Sequence, residues 1–416
     1  MTIHIPPALR HRKFRLIWLG LAISIAGSQM QLWALFWHIR ALTEQPIALG
    51  GVGLARIVPI IGFSLVGGAV ADALNRRRVL FITQIIMVII ALALTWLTFL
   101  EATTLWHIYL LTAIQAVAIS FDSPARQSLV PNLVPARDLP NAFSMTSIAR
   151  QTGAIVGPAL SGLVIAYWGQ GYTYLINAVT YLAVIVALFM MGPIPQETQP
   201  ARRKVVSFRS IKEGVHFIFG HPIILSTMLL DFFATFFSSA RTLMPIFARD
   251  ILNVGVVGYG WLSAAESIGA MAAALIISQM VEIRRQGPIF LASVVVFGLA
   301  TIGFGLARTF TLAMLALIMV GASDSVSTII RNTIRQLQTP DYIRGRMTSI
   351  NQIFFMGGPQ LGEVEAGVVA QLFGAPFAVI SGGIGCILAA GWVVRRWTGI
   401  ASYNGDEPIR AGATTD

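Results

Sequence analysis

Several ionisable residues of this chain stand inside long apolar runs: Arg56, Arg150, Asp231, Arg241, Glu266, Asp324, Arg331, Glu363 and Glu365. A charge placed there is expensive, and such residues are normally kept for moving or holding charge. A carboxylate desolvated at such a place holds its proton more tightly and can carry it. Asp231 and Glu266 are the strongest candidates of this kind, as groups facing a cavity, with Arg56, Arg150 or Arg241 as structural counter-ions in the plainer reading. Asp122 and Arg126 are four residues apart, which puts them on one helix face and in reach of each other. No Gly-x-x-x-x-Gly-Lys loop, His-Glu-x-x-His pattern or cysteine cluster accompanies them, so neither an enzyme, a catalytic residue, a metal site nor a cofactor is expected. The one cysteine, Cys386, excludes an internal disulfide.

The elements that position these groups follow from composition. Of 416 residues 56% are hydrophobic and 11% charged, and the mean hydropathy is +0.74. Soluble domains carry about a quarter charged residues. Continuous apolar runs such as Val79 to Phe99 and Tyr172 to Met191 have helical length and no strand alternation, which argues for membrane helices and against a barrel. Twelve runs can be counted, the first near 14 to 39, the tenth near 310 to 331, the eleventh near 346 to 372 and the last near 376 to 397. The first lacks a cleavage pattern and is read as a retained helix.

The formal charge of +11 is topological. With the N-terminus inside, 21 of the 29 Lys and Arg residues, Arg335, Arg344 and Arg346 among them, fall in cytoplasmic segments, and only Arg40, Arg249 and Arg308 fall on the opposite side. The positive-inside rule then places both termini in the cytoplasm. Nucleic acid is not expected as a partner; the lipid bilayer is.

The chain also carries a duplication. Met145-Thr146-Ser147-Ile148 recurs at 347 to 350, and Asp122-Ser123 at 324 to 325, both 202 residues later; Gly157-Pro158 recurs at 358 to 359. A second register links Gly53 and Gly62 to Gly260 and Gly269. These repeats predict an N-terminal six-helix bundle over 1–192 and a C-terminal one over 222–398. A central cytoplasmic loop over 193–221 would separate them, amphipathic from Ser207 to Phe219 and suited to the inner leaflet. Residues 399–416 read as a disordered cytoplasmic tail.

Twelve spans in duplicated halves resemble the major facilitator superfamily, whose halves are related by an axis along the membrane normal. The stretch Gly68 to Leu80, with Asp72 and Arg76-Arg77-Arg78, is similar to that family's signature between the second and third spans. It departs from it at Ala73, where a basic residue is usual, and at Asn75, which replaces a turn glycine but tolerates left-handed geometry. Gly153, Gly157, Pro158 and Gly162 resemble the Gly-Pro helix of exporters, a packing and bending element. Thr112 stands where proton-driven drug antiporters carry an arginine, ahead of Gln115. Thr339-Pro340 with Gly345-Arg346, Asn351 and Gly358 to Glu363, together with Phe121 to Pro131, resemble the enterobactin-exporter-like, multidrug and macrolide efflux branch.

The resemblance implies an all-α integral membrane protein: twelve transmembrane helices in two pseudo-symmetric six-helix bundles, in the inner or plasma membrane. It implies a monomeric secondary transporter exporting an amphipathic siderophore, macrolide or drug-like compound by alternating access, coupled to a proton gradient. An importer or symporter on the same fold, or a non-transporting membrane sensor, are the alternatives. It further implies a cytoplasmic gate of Asp72, Arg76, Asp122 and Arg126, a hinge at Gly153, Gly157 and Pro158, and a cavity to which Asp231, Glu266, Arg56, Arg150, Trp33 and Phe236 contribute, the aromatic ones by stacking on flat substrates. Asp72→Ala is expected to cut transport while leaving membrane insertion intact; wild-type turnover in that variant would remove Asp72 from the gate.

Overall fold

The computed structural model describes residues 6–194, 208–237, 240–280 and 283–405. Within its helices the side chains at 64–65, 68–69, 71–73, 208–212, 214, 240, 341–342, 344–346, 348–350 and 352–356 lie outside the described set. The described residues form fifteen α-helices: α1 Pro7–Arg10, α2 Arg12–Leu42, α3 Pro46–Ala73, α4 Arg76–Phe99, α5 Leu105–Leu129, α6 Leu139–Trp168, α7 Gln170–Met191, α8 Phe208–Gly220, α9 Pro222–Phe237, α10 Ala240–Ile246, α11 Gly255–Ser278, α12 Gln286–Leu306, α13 Phe310–Leu337, α14 Asp341–Phe373 and α15 Ala375–Arg396. Eleven spans among them are long and apolar enough to cross a membrane. The expected run at 346–372 is the helix α14, whose charged start and Glu363 and Glu365 make it the most polar of the set. The protein is a multi-pass membrane protein. Helices are the required solution, because in lipid each backbone N–H and C=O must find its partner within the chain.

The chain divides into two compact units. The first comprises Met1–Glu44, Leu54–Arg202 and Val254–Ala264; the second comprises Gln45–Gly53, Arg203–Asn253 and Ala265–Asp416. In the first, α2 packs on α6 and α7, and α4 on α5 and α7. In the second, α9 packs on α14 and α15, and α12 on α13 and α15. Each of these contacts in one unit thus has a counterpart in the other, which is duplication expressed as packing. The joints repeat as well: Gly169 between α6 and α7 has φ +89°, and Gly374 between α14 and α15 has φ +90°. An L-residue pays steric energy at such angles, so both tight joints need glycine.

The first unit's core gathers Phe14, Ile17, Leu21, Leu80, Ala125, Leu129, Leu133 and Leu188. The second's gathers Leu230, Phe290, Val294, Ile330, Ile334, Cys386 and Val393, together with Ile400 and Tyr403. The last two correct the tail expectation. Residues 398–400 form a 3₁₀ turn, Ile400 and Tyr403 are buried, and the Tyr403 carbonyl accepts from the Gly287 N–H at 2.8 Å. An apolar pair with a docking groove orders seven residues that composition alone assigns to a polar tail; residues 406–416 lie outside the described set.

Two more local readings change. Asn75 is extended, with φ −64°, and its side chain accepts from the Arg78 N–H at 3.2 Å. It works as a helix N-cap, not as a left-handed turn residue. Of the amphipathic segment, α8 is helical, and its Phe217 and Ile218 pack on Ile224, Leu225, Met228, Ile343 and Met347, while Val215 and Phe219 stay exposed. Residues 195–207 of the central loop lie outside the described set.

Small residues set how closely α6 approaches α2. A methyl group added at Gly153 would lie 2.7 Å from the Ile25 Cγ2, and one at Gly157 would lie 2.8 Å from the Ala26 carbonyl oxygen. Gly157→Leu is therefore expected to destabilise the detergent-solubilised protein by about 1–3 kcal/mol, read as a lowered thermal midpoint, whereas Leu160→Ala, at an exposed position of the same helix, should change it far less.

Candidate functional site

Asp122 sits on α5, nearly sealed, and the structure pairs it with Arg126 one turn on. The Arg126 Nε donates to the Asp122 Oδ2 at 3.0 Å and its Nη2 reaches the same oxygen. The other carboxylate oxygen accepts from the Thr83 hydroxyl at 3.0 Å and the Gln84 amide at 2.8 Å, both on α4. A buried carboxylate is tolerable only when its lone pairs are satisfied in this way. Arg76 is bonded at the far end of α5: its Nη1 donates to the Ser128 carbonyl at 2.9 Å and to the Asn132 Oδ1 at 2.8 Å. That places a cation on the free carbonyls of a helix C-terminus, the end its dipole makes negative. Asp72 ends α3 close in sequence to Arg76, but its side chain lies outside the described residues.

Among the described residues, the ion pairs of the second unit fall into two groups. Glu266 of α11, whose side chain is 11% exposed, accepts from the Nε of Arg241 on α10 at 2.6 Å, and Arg241 itself is 62% exposed. Gly321 of α13 lies directly against the backbone of Glu266, and Gly269 against Ile318, so α11 and α13 are pressed together where the carboxylate leaves the helix.

Deeper in the unit lies a larger network. Asp231 of α9 is 1% exposed; its Oδ1 meets the Arg331 Nη2 at 2.8 Å and its Oδ2 meets the Arg335 Nη2 at 3.5 Å. Arg335 also donates to the Thr227 hydroxyl at 3.1 Å and the Thr227 carbonyl at 2.9 Å, and Arg331 to the Ser327 hydroxyl at 3.0 Å. Arg331 further reaches Asp324 at 3.7 Å, whose side chain is 45% exposed.

The remaining expected residues are scattered. Trp33 is buried beside Phe36 and Tyr259, and its carbonyl accepts from the Tyr259 hydroxyl at 2.8 Å. Phe236 stacks on Phe232, with centroids 5.8 Å apart and planes 12° from parallel. Arg56 is half-buried on α3 and Arg150 exposed on α6. Gly153, Gly157 and Pro158 are buried, the two glycines against α2. Sequence reasoning missed Arg335, which it assigned to a cytoplasmic segment, because it ended the tenth span at 331. The helix runs on to Leu337 and Arg335 is 2% exposed. The four-residue spacing of Ser327, Arg331 and Arg335 was the available signal. It also missed the neutral network of the first unit, in which Asn177 donates to Gln31 at 2.6 Å, Gln31 to Gln115 at 3.2 Å and Gln115 to Tyr181 at 3.0 Å.

Residues 5–401 match the family model described as transmembrane secretion effector, of the major facilitator superfamily. The chain belongs to that family. It is 25% identical over 379 residues to the enterobactin exporter EntS of Shigella boydii serotype 18 and of Escherichia coli O81, covering 91% of this chain and 90% of each relative. Among solved structures it resembles a bacterial homologue of the human lysosomal transporter Spinster, with a TM-score of 0.72 at 13% identity over 95% of this chain and 99% of that one. It also resembles the nucleoside transporter NupG, with a TM-score of 0.68 at 16% identity over 94% and 99%. These likenesses share the all-helical major facilitator fold. The protein is a membrane transporter of that superfamily and an exporter by family.

The pairing of Asp122 with Arg126 generates a double-mutant test. Asp122→Leu and Arg126→Leu should each lower the unfolding midpoint. The double variant should be less damaged than the sum of the two, with a coupling of about 1–3 kcal/mol; strict additivity would show that the pair contributes nothing beyond its separate contacts.

Proposed function

We propose that this protein exports an amphipathic small molecule, of the siderophore, macrolide or drug-like class, across the cell membrane by alternating access driven by a proton gradient. Both termini lie in the cytoplasm in this reading, and a single chain is the working unit. The observation that carries it is the Glu266–Arg241 pair. A carboxylate buried in a membrane-length helix is held by a guanidinium that is itself well exposed, so the ion pair has one buried and one exposed partner. Separating the pair would free Arg241, and an ion pair at such a place can couple charge movement to helix movement. The stacked face of Phe232 and Phe236 supplies apolar, flat contact area for an amphipath. The relatives whose printed function is enterobactin export support a siderophore-like cargo.

Asp72, Arg76, Asp122 and Arg126 serve in this reading as the cytoplasmic gate, with the bonded Asp122–Arg126 pair as its rigid half. Gly153, Gly157 and Pro158 serve as the hinge. Asp231, Arg56, Arg150 and Trp33 complete the set of cavity and coupling groups.

Everted membrane vesicles test this directly. With enterobactin or ethidium outside, energisation that acidifies the lumen should drive accumulation in vesicles containing the protein, and collapse of the gradient should release it. Glu266→Gln should abolish the gradient-driven part while leaving downhill exchange. Accumulation driven by the opposite gradient would indicate import, and an absence of flux for every amphipath tested would favour the sensor.

A further inference from the structure

The two arginines of α13 occupy positions that have no charged equivalent in the other half of the chain. In the register that equates Asp122 with Asp324, Ser327, Arg331 and Arg335 correspond to Ala125, Leu129 and Leu133. Those three are buried in the first unit's apolar core. The fold therefore accommodates aliphatic residues at all three positions, and the second unit instead holds two buried guanidiniums there, 3% and 2% exposed. Replacing an aliphatic contact by a buried charge costs stability even when the charge is paired. Such a replacement is retained for something other than packing.

The geometry indicates what that is. Arg331 stands between two carboxylates of different exposure: Asp231, sealed, at 2.8 Å, and Asp324, half open, at 3.7 Å. We propose that Arg331 is the moving arm of a proton switch, which rests on Asp231 when that carboxylate is charged and transfers to Asp324 when Asp231 takes a proton. The balance is simple. The four groups Asp231, Asp324, Arg331 and Arg335 sum to zero; one proton from water at the Asp324 side neutralises Asp231 and leaves the set at plus one. A sealed core holds that net charge poorly, and the relief is for Arg331 to follow the remaining anion toward water. Arg335 stays behind on the Thr227 carbonyl and hydroxyl.

Among the described residues, the charged groups on the neighbouring helices include Arg241 of α10, held by Glu266 of α11, and the buried Glu363 of α14, the helix packed on α9. From α12 and α15 the neighbouring core residues are Phe290, Ser293, Val294, Ala390 and Val393, and from α8 and its end Phe217 and His221, the latter bonded to the Phe217 carbonyl. Arg344 and Arg346 at the start of α14 lie outside the described side chains. As the coupling device of an exporter this switch rests on the export reading, but its motion can be followed without any substrate.

The test uses the full chain with Cys386→Ala, which removes the only cysteine, and a nitroxide attached at Ser325→Cys beside Asp324. The mobility of the spin label should change with pH in a single one-proton step. Asp231→Asn should give the acid spectrum at every pH and Asp324→Asn the alkaline one, opposite locks that a merely structural network would not produce. Arg331→Leu, which places the residue of the equivalent position and leaves Asp231 and Arg335 as a balanced pair, should fold and show no step. It decides the matter if Asp231→Asn fails to fold. An unchanged step in Arg331→Leu or Asp231→Asn, or no step in the parent, overturns the switch. Failure of the parent to accumulate any amphipath in vesicles would overturn the export reading and leave this result standing.

Discussion

A charge carried into a bilayer is costly without its counter-charge, and three buried carboxylates of this chain have theirs beside them. Asp122 travels with Arg126, Glu266 with Arg241, and Asp231 with Arg331 and Arg335. The same absence of water that forces each backbone into a helix makes the sealed pairing of Asp231 costly to separate, since stripping one partner from a sealed pair costs about 3–5 kcal/mol. Such pairings also join helices. In the first unit α4 and α5 are clasped by Thr83 and Gln84 on Asp122; in the second, α9 and α13 are clasped through Asp231. The glycines that let α6 meet α2, and α11 meet α13, then determine where close sliding contact is sterically possible.

Duplication explains the scaffold but not the chemistry. The packing pairs, the glycine joints at Gly169 and Gly374 and the recurrent Asp-Ser on α5 and α13 are common to both halves. The charges are not. Asp122 is buried and bonded to a residue one turn along, while its equivalent Asp324 is half exposed and faces Arg331 instead. The first unit answers with neutral groups, the chain from Asn177 through Gln31 and Gln115 to Tyr181, which needs no counter-ion. One unit thus carries a neutral buried network where the other carries a charged one, a division that a symmetric pair of bundles can acquire by changing only a few core positions.

How much of this could be read from the residues depended on sequence distance. Membrane helices, their number and the duplication were legible because hydropathy and repeats are local or periodic signals. Asp122 and Arg126 were legible as partners because a helix brings residues four apart together. Glu266 and Arg241, 25 residues apart, could be named as one pairing among three, and Asp231 with Arg331 could not be named at all, because α9 and α13 meet only through the tertiary packing of the bundle. Arg335 was misplaced by a helix end, where side-chain polarity suggested water and the bundle supplied Thr227 and Asp231 instead. Asn75 and the segment around Tyr403 failed for a related reason: a cap and a docking groove are properties of neighbours that composition does not carry.

The position of Arg331 also bears on how much work the network can do. To reverse a two-state population from about 1:99 to 99:1 requires a differential of about 5.5 kcal/mol. Neutralising one member of a sealed pair changes its energy by an amount of that order, whereas neutralising an exposed one changes it by about 1 kcal/mol or less. Glu266, whose partner is largely exposed, falls between these limits. Asp231, sealed with both of its arginines, falls at the strong end, but a sealed group has no route to water by itself. Asp324 is half exposed, and among the described residues Arg331 is the side chain within ion-pair distance of both carboxylates. Strength and access, which no single carboxylate in a dry core can combine, are divided here between two residues and joined by one.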